Sequence, residues 1–327
     1  MVKETVDEIA CAAPDEIIGE RWYPVARSAS LRAGAPLGLE RLGVKLVLWR
    51  GRAGQVIAHG AACPHRGAEL SHGRVVGGQL ECPYHGFRFD EAGACVLMPC
   101  EGPDARIRKD MRVSGWPTRE ASGLIWLWWG DGPPAEALPW LDGVDPVGAY
   151  TLSRELCWEV SLSRLVEGMT DVHHVPFAHR RYVRGVGTML DPLEVRLEGE
   201  VIRASGVLRA PDEAPERGWP FEVAVMLPGV VRLGFGGVEI LILLTPVSQT
   251  RTWGVVLYEQ HHVRVPVLGQ LWGRFLLWTE FAFIQPDDER LLVATQPPHS
   301  TPRVNRYVRA DGVIALWHKL RAEALSP

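Results

Sequence analysis

The chain has 327 residues, 46% of them apolar and 23% charged, with a formal net charge of -4. That length permits two domains of ordinary size, and that apolar content excludes a disordered chain. The acidic balance gives no electrostatic case for binding nucleic acid or an anionic membrane.

Met1 to Glu16 is acidic and lacks an apolar h-region, so no signal peptide is expected. Arg21 to Ala29, Val44 to Trp49 and Gln55 to His59 read as strands parted by glycine- and proline-rich turns. Short strands continue at Gln79 to Glu81, Phe87 to Phe89, Ala94 to Met98, Arg112 to Trp116 and Leu124 to Trp129. Their regular spacing predicts a small all-β module over residues 1–145. Gly130 to Pro139 is a linker or surface loop. Leu152 to Ser161 reads as a strand, and Leu162 to His174 carries apolar residues at helical spacing. Leu193 to Leu208 alternates about a turn at Glu198-Gly199. Four more strands come next: Phe221 to Leu227, Val230 to Phe235, Glu239 to Thr245 and Thr252 to Gln260. Leu268 to Ile284 is helical, Pro286 ends or restarts the helix, and Val313 to Leu325 closes the chain as an amphipathic helix. Residues 146–327 thus form an α+β domain. The apolar stretch Val223 to Val247 is broken by Pro228, Arg232 and Glu239 and cannot span a bilayer as one helix.

Two short turns carry the first chemistry. Cys63-x-His65 and Cys82-x2-His85 are separated by sixteen residues, each flanked by proline and glycine. Two thiolates and two imidazoles in this pattern suit a [2Fe-2S] centre, with Cys63 and Cys82 on one iron and His65 and His85 on the other. Imidazole in place of thiolate raises the reduction potential. A structural zinc site fits less well, because its cysteines usually pair on one loop. Cys11, Cys95, Cys100 and Cys157 show no disulfide framework and read as reduced thiols of a cytosolic protein.

The second informative stretch runs from Glu167 to His179 and contains Asp171, His173, His174 and His179. Two imidazoles and one carboxylate on one face would leave a metal ion open positions for O2. From spacing alone, either His173 or His174 could be a ligand. The bland alternative is a polar helix end with satisfied histidines.

Together these residues resemble the Rieske-type non-haem iron oxygenases, in their catalytic component. The respiratory subtype adds a second cysteine to each loop; here Ala68 and Tyr84 stand there, so the resemblance is to the oxygenase or ferredoxin subtype. Phe87 stands where oxygenases often carry Trp, and Gly168 where many carry Asn. The family's Asp-x2-His-x4-His pattern maps onto Asp171, His174 and His179, leaving His173 a bystander on another face. The resemblance implies a distant carboxylate as third ligand of a mononuclear Fe(II). Asp288 is preferred to Asp287, because Leu291 and Leu292 then fit the apolar side of the helix. The bland alternative for both is an acidic first helical turn.

The resemblance further implies a helix-grip sheet around an apolar pocket, with Trp219, Met226 and Phe281 as candidate pocket residues. It gives Asp171 the role of a bridge between a ligand histidine and a Rieske histidine, here His85, of the next subunit in a head-to-tail homotrimer. It implies O2-dependent hydroxylation or dealkylation of an apolar aromatic or polycyclic substrate in the cytoplasm. The run His174 to His179 looks closest to members acting on tetrapyrroles and steroids. No nucleotide-binding fingerprint is present, so a separate NAD(P)H-dependent reductase is expected, with or without a ferredoxin. The rivals are a Rieske electron carrier with a non-catalytic binding domain and a cis-dihydroxylating dioxygenase.

Overall fold

The computed structural model describes residues 17–102, 104–146, 148 and 150–326. Cys11 and the segment Met1 to Glu16 lie outside the described residues. The described chain divides into two compact units, 19–136 and 137–326, with 17–18 joining the second.

The first unit is all β. Its strands are β1 (Arg21–Arg27), β2 (Leu37–Arg41), β3 (Val44–Arg50), β4 (Val56–Gly60), β5 (Arg74–Val76), β6 (Gln79–Glu81), β7 (Arg88–Phe89), β8 (Cys95–Leu97), β9 (Gly115–Trp116), β10 (Thr118–Ala121) and β11 (Leu124–Trp129). They form sheets of order β1-β11-β10, β2-β3-β4-β9 and β5-β6-β7-β8. The strand expected from Arg112 shrinks to Gly115–Trp116. Tyr23, Trp49 and Trp126 are wholly buried, which accounts for the aromatic run in β11 as core. The sheet β5-β6-β7-β8 matters most for function. Glu81 at the end of β6 receives Arg74 Nε at 2.7 Å and Arg88 Nε at 2.8 Å, tying β5, β6 and β7 together immediately before Cys82.

The second unit opens with β12 (Thr151–Trp158), α1 (Leu162–Thr170) and the single turn α2 (Val175–Ala178). Strands β13 (Met189–Glu198), β14 (Val201–Arg209), β15 (Trp219–Met226), β16 (Val230–Phe235), β17 (Val238–Ser248) and β18 (Arg251–Gln260) come after them. All pair antiparallel in one seven-stranded sheet of order β12-β18-β17-β16-β15-β14-β13. Period-two alternation puts Ile240, Ile242, Leu244, Val256 and Tyr258 into one core with Leu162, Leu165 and Val166 of α1. The expected turn at Glu198-Gly199 is present, with Gly199 at φ +62°.

Helix α3 (Pro266–Thr279) runs through a π turn (Glu280–Ile284) directly into α4 (Gln285–Ala294), and α5 (Gly312–Leu325) closes the chain. Pro286 stands in the first turn of α4, where the α-helix restarts after the π turn, as expected. A proline inside an α-helix cannot donate its hydrogen bond and clashes with the carbonyl four residues back. Widening the preceding turn to π spacing lets the backbone continue past it.

A buried polar network anchors α1. Its N-cap Ser161 accepts from Arg164 N and donates to Pro298 O at 2.6 Å. Glu167 receives Arg164 Nη1 at 2.8 Å, Asn305 Nδ2 at 2.6 Å and Ser300 Oγ, and pairs with His318 Nε2 of α5 at 2.8 Å. Burial alone would raise the Glu167 carboxyl, but bonds from His318, Ser300 and Arg164 outweigh it and hold it below its ordinary value. Its contribution to stability is therefore present above the ordinary carboxylate range and lost as pH falls through the depressed value. Glu167→Ala leaves the Arg164 guanidinium buried and unpaired, so denaturant unfolding should show a loss on the order of 3 kcal/mol near neutral pH.

Candidate metal centres

The two cysteine loops are copies of one turn. Cys63 N donates to Ala68 O at 2.9 Å and Gly67 N to Cys63 O at 2.8 Å. In the second loop Cys82 N donates to Phe87 O at 2.8 Å and Gly86 N to Cys82 O at 3.1 Å. Gly67 and Gly86 both hold a left-handed φ, +71° and +70°, which a side chain would strain. Each loop therefore buries its cysteine and lifts its histidine outward. Cys63 and Cys82 are 3% and 2% exposed, whereas His65 is exposed and His85 half-buried, their rings 4.8 Å apart. Phe87 is buried and stacks on His65 with centroids 4.8 Å apart, a packing role for the residue at this position.

The two thiols interact, and burial together with Cys82 pushes the Cys63 thiol up to about 11, with backbone N–H groups of the loop opposing. The buried Cys63 thiol ionises here only against added positive charge, which fits iron and is the chemistry a [2Fe-2S] cluster requires. Cys63, Cys82, Cys95 and Cys100 form no disulfide.

The second centre lies where α1, α2 and α4 meet. Asp171 caps the C-terminus of α1, while His174 and His179 bracket the single turn of α2. The expected helix from Leu162 to His174 thus breaks at Asp171. This kink brings the two imidazoles together at a steep angle, Nε2 to Nε2 at 3.3 Å, although they stand five positions apart. Asp288 Oδ1 stands 3.4 Å from His174 Nε2 and 3.1 Å from His179 Nε2. The three donor atoms lie within 4.8 Å of one another. Asp287 turns away to Arg290 at 3.2 Å. Of the two leucines used to choose between them, Leu292 packs on the core and Leu291 is exposed.

Asp171 is the hub behind this set. Its Oδ2 lies 3.5 Å from His174 Nδ1, and its Oδ1 accepts from His173 N at 2.9 Å and pairs with His173 Nδ1 at 2.7 Å. His173 is therefore no bystander: it shares the carboxylate that orients His174. Burial would raise Asp171, but the two histidines outweigh it and hold the carboxyl far below its ordinary range. Burial would likewise keep His174 neutral, yet Asp171 and Asp288 push its imidazole up to about 10. A site that favours positive charge this strongly, with two imidazole nitrogens and a carboxylate oxygen converging, fits a divalent iron. The support is unequal, since His174 Nδ1 faces Asp171 while His179 Nδ1 is buried without a hydrogen-bond partner.

Comparison with known proteins places this geometry. The profile of the Rieske [2Fe-2S] domain matches residues 21–117. Chlorophyllide a oxygenase of Chlamydomonas reinhardtii is 38% identical over 160 residues, 48% of this chain and 24% of that protein. The oxygenase component of dicamba O-demethylase from Stenotrophomonas maltophilia is 37% identical over 196 residues, 58% of this chain and 54% of that protein. The structure of NdmB from Pseudomonas putida CBB5 superposes with a TM-score of 0.77 at 23% identity, covering 96% of this chain and 94% of NdmB.

The chain carries a Rieske [2Fe-2S] domain over residues 21–117 and shares its fold with NdmB. The matched stretches span between 24% and 54% of these two relatives' own length. Residue sets suited to a Rieske [2Fe-2S] cluster and to a mononuclear iron held by two histidines and an aspartate are both present in the fold.

Two residues of this centre have roles that the sequence did not disclose. Gly168 is one: a Cβ there would lie 2.7 Å from Leu292 Cδ1, so its bare backbone lets α4 approach α1 and carry Asp288 to the histidines. Gly168→Ala should weaken mononuclear iron binding while leaving the cluster chromophore intact, and adding Leu292→Ala should restore iron retention as measured by metal analysis.

Glu280, on the π turn, is the other. It lies part-buried, its hydrogen bond coming from Gln285 Nε2 at 3.1 Å. Burial pushes its carboxyl up to about 7, with Gln285 opposing and Asp288 adding to the rise. A carboxyl raised in the fold costs stability as pH climbs from its unfolded value near 4.5 through about 7. In the metal-free protein, Glu280→Gln should raise the melting temperature by a few degrees at pH 8 and leave it unchanged at pH 5.

Proposed function

We propose that this protein is the terminal oxygenase of a multicomponent system, using O2 and externally supplied electrons to hydroxylate or dealkylate an apolar aromatic or polycyclic substrate. The observation that carries this reading is the convergence of His174, His179 and Asp288 on one point, in a chain that also holds a Rieske site. A pure electron carrier has no use for the second constellation. When bound, the two iron groups would supply one-electron transfer and O2 activation.

Cys63, His65, Cys82 and His85 would hold the cluster; His174, His179 and Asp288 would hold the mononuclear iron. Three protein ligands leave positions open for O2. Asp171 orients His174 through Nδ1 and is the bridge by which that imidazole would meet His85 of a neighbouring copy, in a closed head-to-tail trimer. The half-buried Trp219 and Phe281, which pack against the main core, would form part of the substrate wall. Relatives named for O-demethylation of dicamba and N3-demethylation of methylxanthine support dealkylation, and a relative named 3-chlorobenzoate-3,4-dioxygenase keeps cis-dihydroxylation as the second reading. A reductase fed by NAD(P)H, with or without a ferredoxin, and a cytoplasmic location complete the proposal.

The test is anaerobic purification followed by iron and acid-labile sulfide analysis. Three irons to two sulfides are expected, falling to two in Asp288→Ala and staying at three in Asp287→Ala. His174→Ala should keep the cluster's paramagnetic signal and lose O2-dependent turnover. Asp171→Asn should retain both metals and slow single-turnover reoxidation of the cluster at least tenfold. A wild-type ratio of two to two after ferrous reconstitution would establish the carrier instead.

A further inference from the structure

Helix α3 is seated on the sheet by its backbone. Gly269 and Gly273 are the buried residues of the helix, while Trp272, Phe275 and Trp278 are exposed. A Cβ on Gly269 would lie 2.6 Å from Tyr150 Cε1, and one on Gly273 would lie 3.5 Å from Leu152 Cδ1. Leu152 of β12 is the cross-strand partner of Tyr258 on β18. Further along the rod, Leu276, Leu277 and Phe281 pack against the main core, to which Tyr258 also belongs. The π turn thereby brings Glu280 between the sheet and the metal centre. Its charge is felt by Tyr258, and it senses Asp288 and His179 in turn. The carboxyl is surrounded deeply enough for burial to push it up to about 7, yet the residue is only half-buried. That combination describes a group on the wall of an inlet, neither sealed in the core nor free on the surface.

The hydrogen bonding at this wall is incomplete. Gln285, at the start of α4, is 6% exposed, and its Nε2 donates to Glu280 Oε1 at 3.1 Å. A carboxylate only accepts, so that bond fixes which end of the amide faces Glu280. Gln285 Oε1 is left buried with no hydrogen-bond partner among the described residues. Among those residues no basic side chain pairs with Glu280, and no hydrogen bond joins it to Tyr258. Buried acceptors are nearly always satisfied, so an orphan beside a metal centre marks a place where a ligand supplies the donor. The unmet groups, Gln285 Oε1 and the remaining lone pairs of Glu280, are both acceptors. An amino group or ring N–H on an aromatic substrate donates to them. A plain hydrocarbon would cover them without satisfying them. A carboxylate would set oxygen against oxygen and negative charge against Glu280. Phe281, the next residue, supplies the aromatic surface beside these acceptors.

We propose that Glu280 and Gln285 select a substrate whose aromatic ring carries an N–H donor and reject one whose ring carries a carboxylate. This rests on the terminal-oxygenase reading above and narrows its substrate class. The test is equilibrium dialysis, without air at pH 8, of the full-length, iron-loaded protein against three probes of one ring size: naphthalene, 1-naphthylamine and 1-naphthoate. The amine should bind at least about tenfold tighter than naphthalene, and the carboxylate more weakly than either. Gln285→Leu, which removes the orphan acceptor at similar volume, should cut the amine-to-naphthalene ratio to about threefold or less. Glu280→Gln, which keeps the shape and removes the charge, should tighten 1-naphthoate binding at least about fivefold relative to naphthalene. A variant that merely loosens the fold moves all three probes together, and that result in both variants overturns the proposal. So does a wild type that binds the amine no tighter than naphthalene, the outcome expected if a fixed water satisfies Gln285 Oε1. Iron and sulfide analysis of the same sample separates the two readings. Three irons to two sulfides without any ranking of the probes overturns this proposal alone; two to two overturns the oxygenase reading and this proposal with it.

Discussion

The second domain depends on a charge problem that its own residues do not solve. Asp171, His174, His179 and Asp288 are drawn into one partly buried corner, within hydrogen-bond or ion-pair distance of one another. Two carboxylates there favour positive charge on His174, and a proton on its Nε2 would keep it from binding metal. A divalent ion would take the place of that Nε2 proton and join Asp288 to both imidazoles, while His174 Nδ1 keeps its contact with Asp171. The surrounding architecture serves this convergence. Glu167 ties α1 to α5 and to the segment after α4, Gly168 lets α4 close on α1, and the π turn carries the backbone past Pro286 so that Asp288 faces inward. Glu280 adds a further carboxyl within electrostatic reach of Asp288 and His179, and burial keeps it poised near neutrality instead of fully charged. Its protonation therefore depends on the same site charge that the ion sets.

The first domain solves a different problem by repetition. Two identical five-residue turns, each closed by a glycine of positive φ, place sulfur inside and imidazole outside. The two ligand pairs thus meet different dielectric environments, both sulfurs buried, His65 exposed and His85 half-buried.

Legibility in the sequence tracks how local each signal is. Cys63, His65, Cys82 and His85 were readable because a loop of five residues fixes its own geometry. Asp171, His174 and His179 were readable as a set once the resemblance fixed their register, since the sequence could not see that α1 breaks at Asp171. The strands of the large sheet came from alternation and burial, and their order did not. His173, Gly168 and Glu280 were misjudged or passed over because their roles come from partners brought in by the fold: Leu292 for Gly168, Asp288 and His179 for Glu280. A helical period in α3 was visible, but periodicity states only that one face is apolar, and here that face points outward.

The inversion of α3 and the placement of Asp288 belong to one rod. Helix, π turn and helix run without a break from Pro266 to Ala294. Each extra residue inserted into an α-helix rotates the residues beyond it by about 100°. The wide turn at Glu280–Ile284 therefore changes which side of the rod faces the sheet. Before it, glycines face inward and aromatics outward; after it, Asp288 and Leu292 face inward and Leu291 and Val293 outward. Without the π turn, one phase would have to serve both halves. Either the carboxylate would leave the histidines or the aromatic stripe would turn into the sheet. The exposed stripe and the metal site are thus geometrically coupled alternatives that a single wide turn reconciles.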